Sequence, residues 1–275
     1  MNGMLDHADS IRLGAFIGAI ALLALLQWRF SLRRDSRPAR RQAVNVGLVV
    51  IDTLALRLVF PVLAVAFAAD VHARGGGLFG ALDGAAVVEI LIAFLLLDLV
   101  IYWQHRLLHR VPLLWRIHRV HHCDTGFDLT TGVRFHPLEI LLSMAIKLAA
   151  IALLGAHPFA VLLFELALSL GALWTHTDVA LPATVDRRIR WLLVTPSMHR
   201  IHHSTWRPET DSNYGFHLSV WDRLFGSYRA QPSRPEREMP VGLAAFRDDQ
   251  DQRLSALLLN PFSTAAARRS KGAAL

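Results

Sequence analysis

The sequence predicts an all-α, integral membrane helical protein with about four to five membrane-embedded helices and a cytoplasmic helical cap. Three observations predict it. Of the 275 residues, 53% are hydrophobic, above the apolar share of an ordinary soluble domain, about 45–50% with glycine included. Mean hydropathy is correspondingly positive, at +0.35. The apolar residues fall in five long runs, and most of the 14 histidines are grouped just past the ends of those runs.

The runs are roughly Leu13–Gln27, Val44–Ala69, Ala85–Trp103, Leu138–Ala156 and Pro158–Trp174. A membrane span needs about 20 apolar residues. The second and third runs qualify easily. The first, fourth and fifth are borderline, and each can instead be a buried or re-entrant helix. The first lies where a signal peptide would. It lacks a basic n-region, however, and arginine-rich sequence follows it with no small-residue cleavage site. Lys147 inside the fourth run marks a helix that does not simply face lipid.

Between the first two runs, Arg29–Arg41 reads RFSLRRDSRPARR, with six arginines. The positive-inside rule makes this loop cytoplasmic. The second run then exits, DVHARGGGLFGALDG forms a short Gly-rich outer loop, and the third run returns to the cytoplasm at His105. The fourth and fifth make a hairpin that delivers His176. Thr177–Leu275 stays cytoplasmic. Every histidine cluster therefore falls on one side of the membrane. The segments group as membrane helices and loops over 1–84, a catalytic domain over 85–231 and a C-terminal extension over 232–275. VDRRIRWLL (Val185–Leu193) reads equally as an interfacial helix or an ordinary amphipathic surface helix. NPFSTAAARRSKGAAL has little to pack and is expected to fray.

The net charge is +7, from 27 arginines and only two lysines against 22 acids. The arginines alternate with apolar runs, so membrane surface fits better than nucleic acid. The one cysteine, Cys123, excludes an internal disulfide framework and a cysteine-based zinc module. It is read as a bystander thiol. The sequence sets no oligomeric state.

His105 and His109 are spaced i, i+4. His118, His121 and His122 are spaced i, i+3, i+4, and His199, His202 and His203 repeat that pattern. On a helix such spacings put side chains on one face. Neutral imidazole is the commonest metal-binding side chain. An HxxHH triplet can serve two neighbouring ions, so eight clustered imidazoles suit a pair of metals: a histidine-rich dimetal site. His7, His72 and His157 stand alone and are read as surface or hydrogen-bonded residues. All-nitrogen ligation suits Zn, Cu, Fe or Ni. HRLLH lacks the glutamate of a zinc protease, and catalytic zinc takes about three protein ligands. So many nitrogens beside a membrane favour iron and dioxygen. A non-redox membrane zinc hydrolase is the alternative. A metal transporter or sensor is a weaker one, because the histidines lie past the spans.

In order along the chain, HRLLH, HRVHH and HRIHH resemble the three boxes of the fatty acid hydroxylase and sterol desaturase superfamily, the membrane di-iron oxygenases. DLVIYWQHRLLH, RFHPLE, VTPSMHRIHHS and TDSNYGFHLSVWDRLFGSY are similar to its bacterial branch, over about Ile90–Gln231. The resemblance implies that His105, His109, His118, His121, His122, His199, His202 and His203 ligate iron. It adds His176, between the second and third boxes. His136, in the HP-x-E element, is left as a ligand, a group supporting one, or a helix-loop anchor. His217 stands where relatives carry Asn and is not counted. The family's HSN reads HTD here, which touches the surroundings of the site but not the metal.

Asp98 lies seven residues before His105, on the same helical face, and can accept a hydrogen bond from an iron-bound imidazole or from Tyr102. It can equally be a helix–helix polar contact. Glu139, Asp178, Asn213 and Asp222 can act as supporting groups too, with a structural role the simpler reading. The resemblance implies two iron ions, O2 as co-substrate, and hydroxylation or desaturation of a lipophilic substrate from the bilayer: a fatty acyl chain, sterol, carotenoid or alkyl glycerol. No flavin, haem or nicotinamide fingerprint occurs, and one cysteine is too few for an iron–sulfur cluster. Electrons must therefore come from a separate donor, such as a ferredoxin, a cytochrome b5-like protein or a reductase. A basic face at Arg110, Arg116, Arg119, Arg187, Arg188 and Arg190 can dock that donor or contact anionic lipid.

Overall fold

A computed structural model describes residues 5, 7–33, 39–82 and 84–263. Helix α1 spans Ala8–Phe30, α2 Ala39–Val59, α3 Ala64–Ala73, α4 Gly77–Gly80 and α5 Ala86–Arg110. Helix α6 spans Pro112–His122, α7 Pro137–Leu154, α8 Pro158–His176 and α9 Ala183–Ile189. Helix α10 spans Pro196–His202, α11 Arg207–Thr210, α12 Val220–Leu224 and α13 Leu254–Leu259. Among the described residues there are no strands, only three isolated bridges.

Five stretches are long and apolar enough to cross a membrane: Ala8–Phe30, Ala39–Gly80, Ala86–Arg110, Pro137–Leu154 and Pro158–His176. Their outer surfaces are apolar and bare. Leu58 is 85% exposed and Leu153 75%, a cost in water that a lipid surround removes. The second run is not the single helix expected. It breaks at Phe60–Leu63 and restarts as α3, because Pro61 has no N–H to give and disfavours helical backbone before it.

Prolines punctuate the rest. Pro112, Pro137, Pro158 and Pro196 each occupy the first turn of their helix, where the missing N–H costs nothing. His136 and His157 cap α7 and α8 by accepting from Leu138 N and Phe159 N. Gly155, at φ 67°, ends α7 in the left-handed region. The α7–α8 hairpin packs against α5, with α1 on α8, α2 on α7, and α3 across both. Its core joins Leu97, Ile101, Ile151 and Phe164 to Ala64, Ala68, Ala93 and Ala160. The alanines let backbones approach closely, the usual device when lipid removes the hydrophobic drive between helices.

Lys147 is accounted for. Its Nζ meets Glu165 Oε1 at 2.5 Å, and Arg12 reaches the other oxygen at 2.9 Å. Three spans are thus pinned by a buried, mutually compensated group. At the opposite end, Arg33 donates to the carbonyls of Glu236 and Met239, and Arg33 N to Asp178 Oδ2 at 3.1 Å. Arg33 and the histidine-bearing cap therefore share one end of the bundle. The chain from Asn260 to Ser263 is packed rather than frayed. Arg119 donates to Asn260 Oδ1 at 2.7 Å and to Ser263 O at 2.7 Å. The remainder of that predicted frayed stretch lies outside the described residues.

Candidate metal centre

The last turns of α5 place His105 and His109 one turn apart. After Val111 the chain turns into α6, which sets His118, His121 and His122 against them. The end of α8 brings His176, and α10 with its C-cap brings His199, His202 and His203. All nine are buried. They sort into two groups: His105, His109, His118, His122 and His202 in one, and His121, His176, His199 and His203 in the other. Within each group one nitrogen per ring lies within 4.8 Å of the rest. The two HxxHH triplets are both split. Adjacent helical residues point about 100° apart, so His121 and His122 serve different groups, as do His202 and His203. The groups abut, with His122 stacked on His203 at 4.5 Å between ring centroids.

The hydrogen bonds fix the tautomers. His105 Nδ1 donates to Tyr214 O at 2.8 Å, His202 Nδ1 to Ser212 O at 2.7 Å and His118 Nδ1 to Glu139 Oε1 at 2.7 Å. In the other group His121 Nδ1 donates to Arg134 O at 3.1 Å and His176 Nδ1 to Ala172 O at 2.7 Å. Carbonyls and carboxylates only accept, so each Nδ1 carries the proton and each Nε2 presents a lone pair. The Nε2 atoms of His105, His118 and His202 are buried without a hydrogen bond, as are both nitrogens of His109 and His122. His121 and His176 bring their Nε2 atoms to 3.1 Å, lone pair facing lone pair. His199 and His203 approach the same His176 atom at 2.9 and 3.1 Å. The His121–His176 contact, bare acceptor against bare acceptor, is repulsive unless a cation lies between them. The donor set therefore fits a metal in each group, and imidazole suits Zn, Cu, Fe or Ni.

Electrostatics agree. Burial, with no compensating acid, pushes His121, His122, His199 and His203 well below the usual imidazole range, and their neighbouring imidazoles add to it. Burial takes His202 down to about 3. The rings stay neutral, the form that binds metal.

Of the six supporting residues expected, Glu139 alone touches a grouped histidine. Asp98 does not. Its carboxylate accepts from His217 Nδ1 at 2.6 Å, Trp221 Nε1 at 2.8 Å and Leu218 N at 3.3 Å. Tyr102 instead meets Ser227 Oγ at 2.7 Å. Asp222 works one step removed: it accepts from Tyr214 N at 2.7 Å and Gly215 N at 2.8 Å, which holds the carbonyl that His105 needs. Asn213, at φ 50°, and Asp178 tie loops together. His136 lies outside both groups. Its Nδ1 caps α7 and its Nε2 meets Leu258 O at 3.1 Å, so both nitrogens are used. Cys123 is buried and turned to Val120 O.

Sequence reasoning missed three features. Backbone carbonyls supply most acceptors. Asp211 stands 3.5 Å from His109. A buried cluster of Arg41, Asp124, Asp128, Thr131 and Asn45 fastens α2 to the loop behind His121. Burial would raise the Asp124 carboxyl, but Arg134 and Arg41 hold it down to about 2. Of the six arginines on the expected basic face, Arg119 and Arg190 are turned inward onto Asn260 and Ala230.

A cavity of about 260 Å³ reaches the histidines from the bundle. It is lined by Phe16, Val49, Leu56, Ile101 and Leu168, among others, and touches His105 and His118 of one group and His121, His176 and His199 of the other.

The model of the fatty acid hydroxylase family matches residues 90–227, a stretch that holds all nine grouped histidines. The chain belongs to the fatty acid hydroxylase family. It is 34% identical over 140 residues to the human alkylglycerol monooxygenase, covering 50% of this chain and 30% of that protein. It is 31% identical over 150 residues to an ornithine lipid hydroxylase of Rhizobium tropici, covering 54% of this chain and 43% of that protein. It is 31% identical over 156 residues to a very-long-chain aldehyde decarbonylase of Oryza sativa subsp. indica, covering 55% and 57%. The chain thus spans less than two thirds of the length of each of these relatives. No solved structure matches the chain. Helices α1 to α4 and the segment after Ser227 lie outside the matched residues.

Proposed function

We propose that the protein is a membrane-bound, O2-dependent di-iron oxidoreductase that hydroxylates or desaturates a lipid. The observation that carries this reading is the pair of abutting histidine groups at the end of an apolar cavity within a bundle of membrane-length helices. His105, His109, His118, His122 and His202 would hold one iron, and His121, His176, His199 and His203 the other. Bound iron supplies the redox chemistry with O2 that an inert C–H bond requires.

The chain's own contribution is arrangement. Glu139 and the carbonyls of Tyr214, Ser212, Arg134 and Ala172 hold the rings in one tautomer and orientation, which raises ligand basicity and fixes geometry. Phe135 stacks on His121 with ring centroids 4.7 Å apart and blocks its tilt. The apolar walls exclude water and admit an alkyl chain between helices. Hydroxylation consumes O2, two electrons and two protons, and leaves one oxygen in the lipid and one in water. The electrons come from a separate protein donor on the cytoplasmic side, the side to which the arginine-rich loop assigns the cap. Exposed Arg187 and Arg188 offer that donor a basic surface. In a bacterial cell the membrane would be the inner one.

Names among the relatives favour a lipid substrate, because alkylglycerol and ornithine lipid both appear there. The test is metal analysis of detergent-purified protein, with O2 uptake on adding reductant and donor, and lipid profiling of cells with and without the gene. Two irons per chain, O2-dependent turnover and a changed lipid are expected. His121→Ala and His202→Ala should each abolish turnover with the protein still membrane-inserted. Zinc at full occupancy with O2-independent turnover would defeat the reading in favour of a hydrolase.

A further inference from the structure

The cavity beside the histidine groups holds more polar atoms than a passage for an alkyl chain requires. Three residues that line it each keep a buried oxygen with no partner: Asp52 Oδ1, Gln104 Oε1 and Glu139 Oε2. All three are acceptors. Gln104 spends its amide N–H on Ser143 Oγ at 3.1 Å, which leaves its carbonyl oxygen. Glu139 Oε1 is occupied by His118. Of the three hydroxyls that line the cavity, two are turned away, Thr53 donating to Val49 O at 2.8 Å and Ser169 to Glu165 O at 3.0 Å, and the third, Ser143, accepts from Gln104.

Asp52 stands out among them. It sits mid-helix in α2, within a membrane-length stretch, and is 6% exposed. No hydrogen bond or ion pair reaches it among the described residues. A buried acceptor left unmet is costly, and a carboxylate more so. An ionisable residue at such depth is expensive to keep without a use. It also lies outside the matched residues 90–227.

We infer that Asp52, with Gln104 and Glu139, selects lipids that carry a hydrogen-bond donor, a hydroxyl or ammonium group, close to the carbon that lies against the histidine groups. The inference deepens the proposed function and rests on it for the word substrate, though not for binding. A hydroxyl or ammonium satisfies the lone acceptors. An ether or ester of the same shape has no proton to give to Asp52 Oδ1, Gln104 Oε1 or Glu139 Oε2. Asp52 then acts as a specificity residue.

The experiment uses the full metal-loaded chain in detergent, with binding followed by tryptophan fluorescence. The probes are 1-O-hexadecylglycerol, its dimethyl ether, and hexadecylamine. Wild type should bind the free glycerol ether or the amine at least about tenfold tighter than the dimethyl ether, the value of one satisfied buried acceptor. Tighter glycerol ether or tighter amine tells which donor is read. Asp52→Leu should bring that ratio to about one, while dimethyl ether affinity and metal content hold. Asp52→Asn, which keeps a neutral acceptor, should retain the hydroxyl preference in part and lose any preference for the amine. No preference in wild type, or a preference that survives Asp52→Leu, overturns the inference. If Asp52→Leu does not fold, the Asp52→Asn comparison decides alone: an unchanged probe order refutes. Because binding is read without turnover, selective binding with no O2 uptake would sink the proposed reaction and leave this selection standing.

Discussion

Replacing Glu139 should loosen one metal and spare the other. Its Oε1 takes the Nδ1 proton of His118 at 2.7 Å, a charge-assisted bond roughly twice as strong as a neutral one. Glu139→Gln keeps an acceptor there but removes the charge. The difference between charged and neutral bonds, about 1–1.5 kcal/mol, is about five- to tenfold in affinity. Glu139→Ala removes the acceptor and strands a buried N–H, so the loss grows toward about 100-fold. The effect is local. His118 belongs to the group of His105, His109, His122 and His202, whereas in the second group the His121 and His176 protons go to Arg134 O and Ala172 O. Metal release to a strong chelator should therefore be biphasic, with one phase accelerated in the order wild type, Gln, Ala and the other unmoved. Glu139 also sits in the first turn of α7, where a carboxylate adds about 0.3–1 kcal/mol to the helix. Metal-free melting should fall as well, by that contribution in both variants and, in Glu139→Ala, by about 1–3 kcal/mol more for the stranded His118 N–H. Equal acceleration of both phases, or of neither, refutes the division into two groups.

Three other outcomes follow from the same geometry. A Cβ on Gly132 would lie 2.4 Å from Ala172 O and 3.1 Å from His176 Nδ1, so Gly132→Ala should displace His176 and cost about 1–3 kcal/mol; one metal per chain by elemental analysis, with lowered melting, checks it, and full metal with wild-type melting contradicts it. Asp98→Asn should weaken the bonds to His217 and Trp221 and cost stability, about 1–3 kcal/mol, with metal stoichiometry unchanged; a lost metal would return Asp98 to the centre. Metal-free protein should lose stability as pH falls below about 6.5, since unfolded imidazoles take up protons that His202, held near 3 by burial, refuses. The unfolded state then binds more protons, so stability rises with pH by about 1.4 kcal/mol per unit per such ring up to about 6.5 and is flat above it; a melting point that climbs on acidification refutes neutral burial.

The histidines were legible because metal-binding imidazoles must recur at helical spacing, and the spans because lipid demands length. His176 has no neighbour at such spacing and stood out only through resemblance. Its partners were hidden for a different reason: Tyr214, Ser212, Arg134 and Ala172 act through carbonyls, and a side-chain alphabet does not say where a carbonyl points. Asp98 shows the limit of helical arithmetic. It does lie two turns before His105, but its partners come from 119 to 123 residues further along the chain. His136 was ambiguous as a histidine, yet its neighbour Pro137 carried the answer, since a polar residue before a helix-starting proline is in position to cap. Pro61 carried a similar signal inside an unbroken apolar run, where hydropathy outweighs it by eye and backbone chemistry does not.

The segment after the matched residues completes the enclosure of the centre. Gly242 N donates to His203 O at 3.0 Å, and the φ of Gly242 is 96°. A side chain there would also strike Asp124 O at 2.7 Å. Met239 and Val241 pack on Phe127, whose ring lies 5.7 Å from His176. Gln252 donates to Cys123 O at 2.9 Å and accepts from Arg134, whose own carbonyl holds His121. The same residues 239–252 therefore cover the four-histidine group and brace two of its rings from behind. The five-histidine group is braced instead by Glu139 and the 211–214 loop. The two groups share α6, α10 and a boundary at His122 and His203, but the acceptors that hold their rings differ. Those acceptors can thus be removed one at a time, and metal retention in each group followed separately.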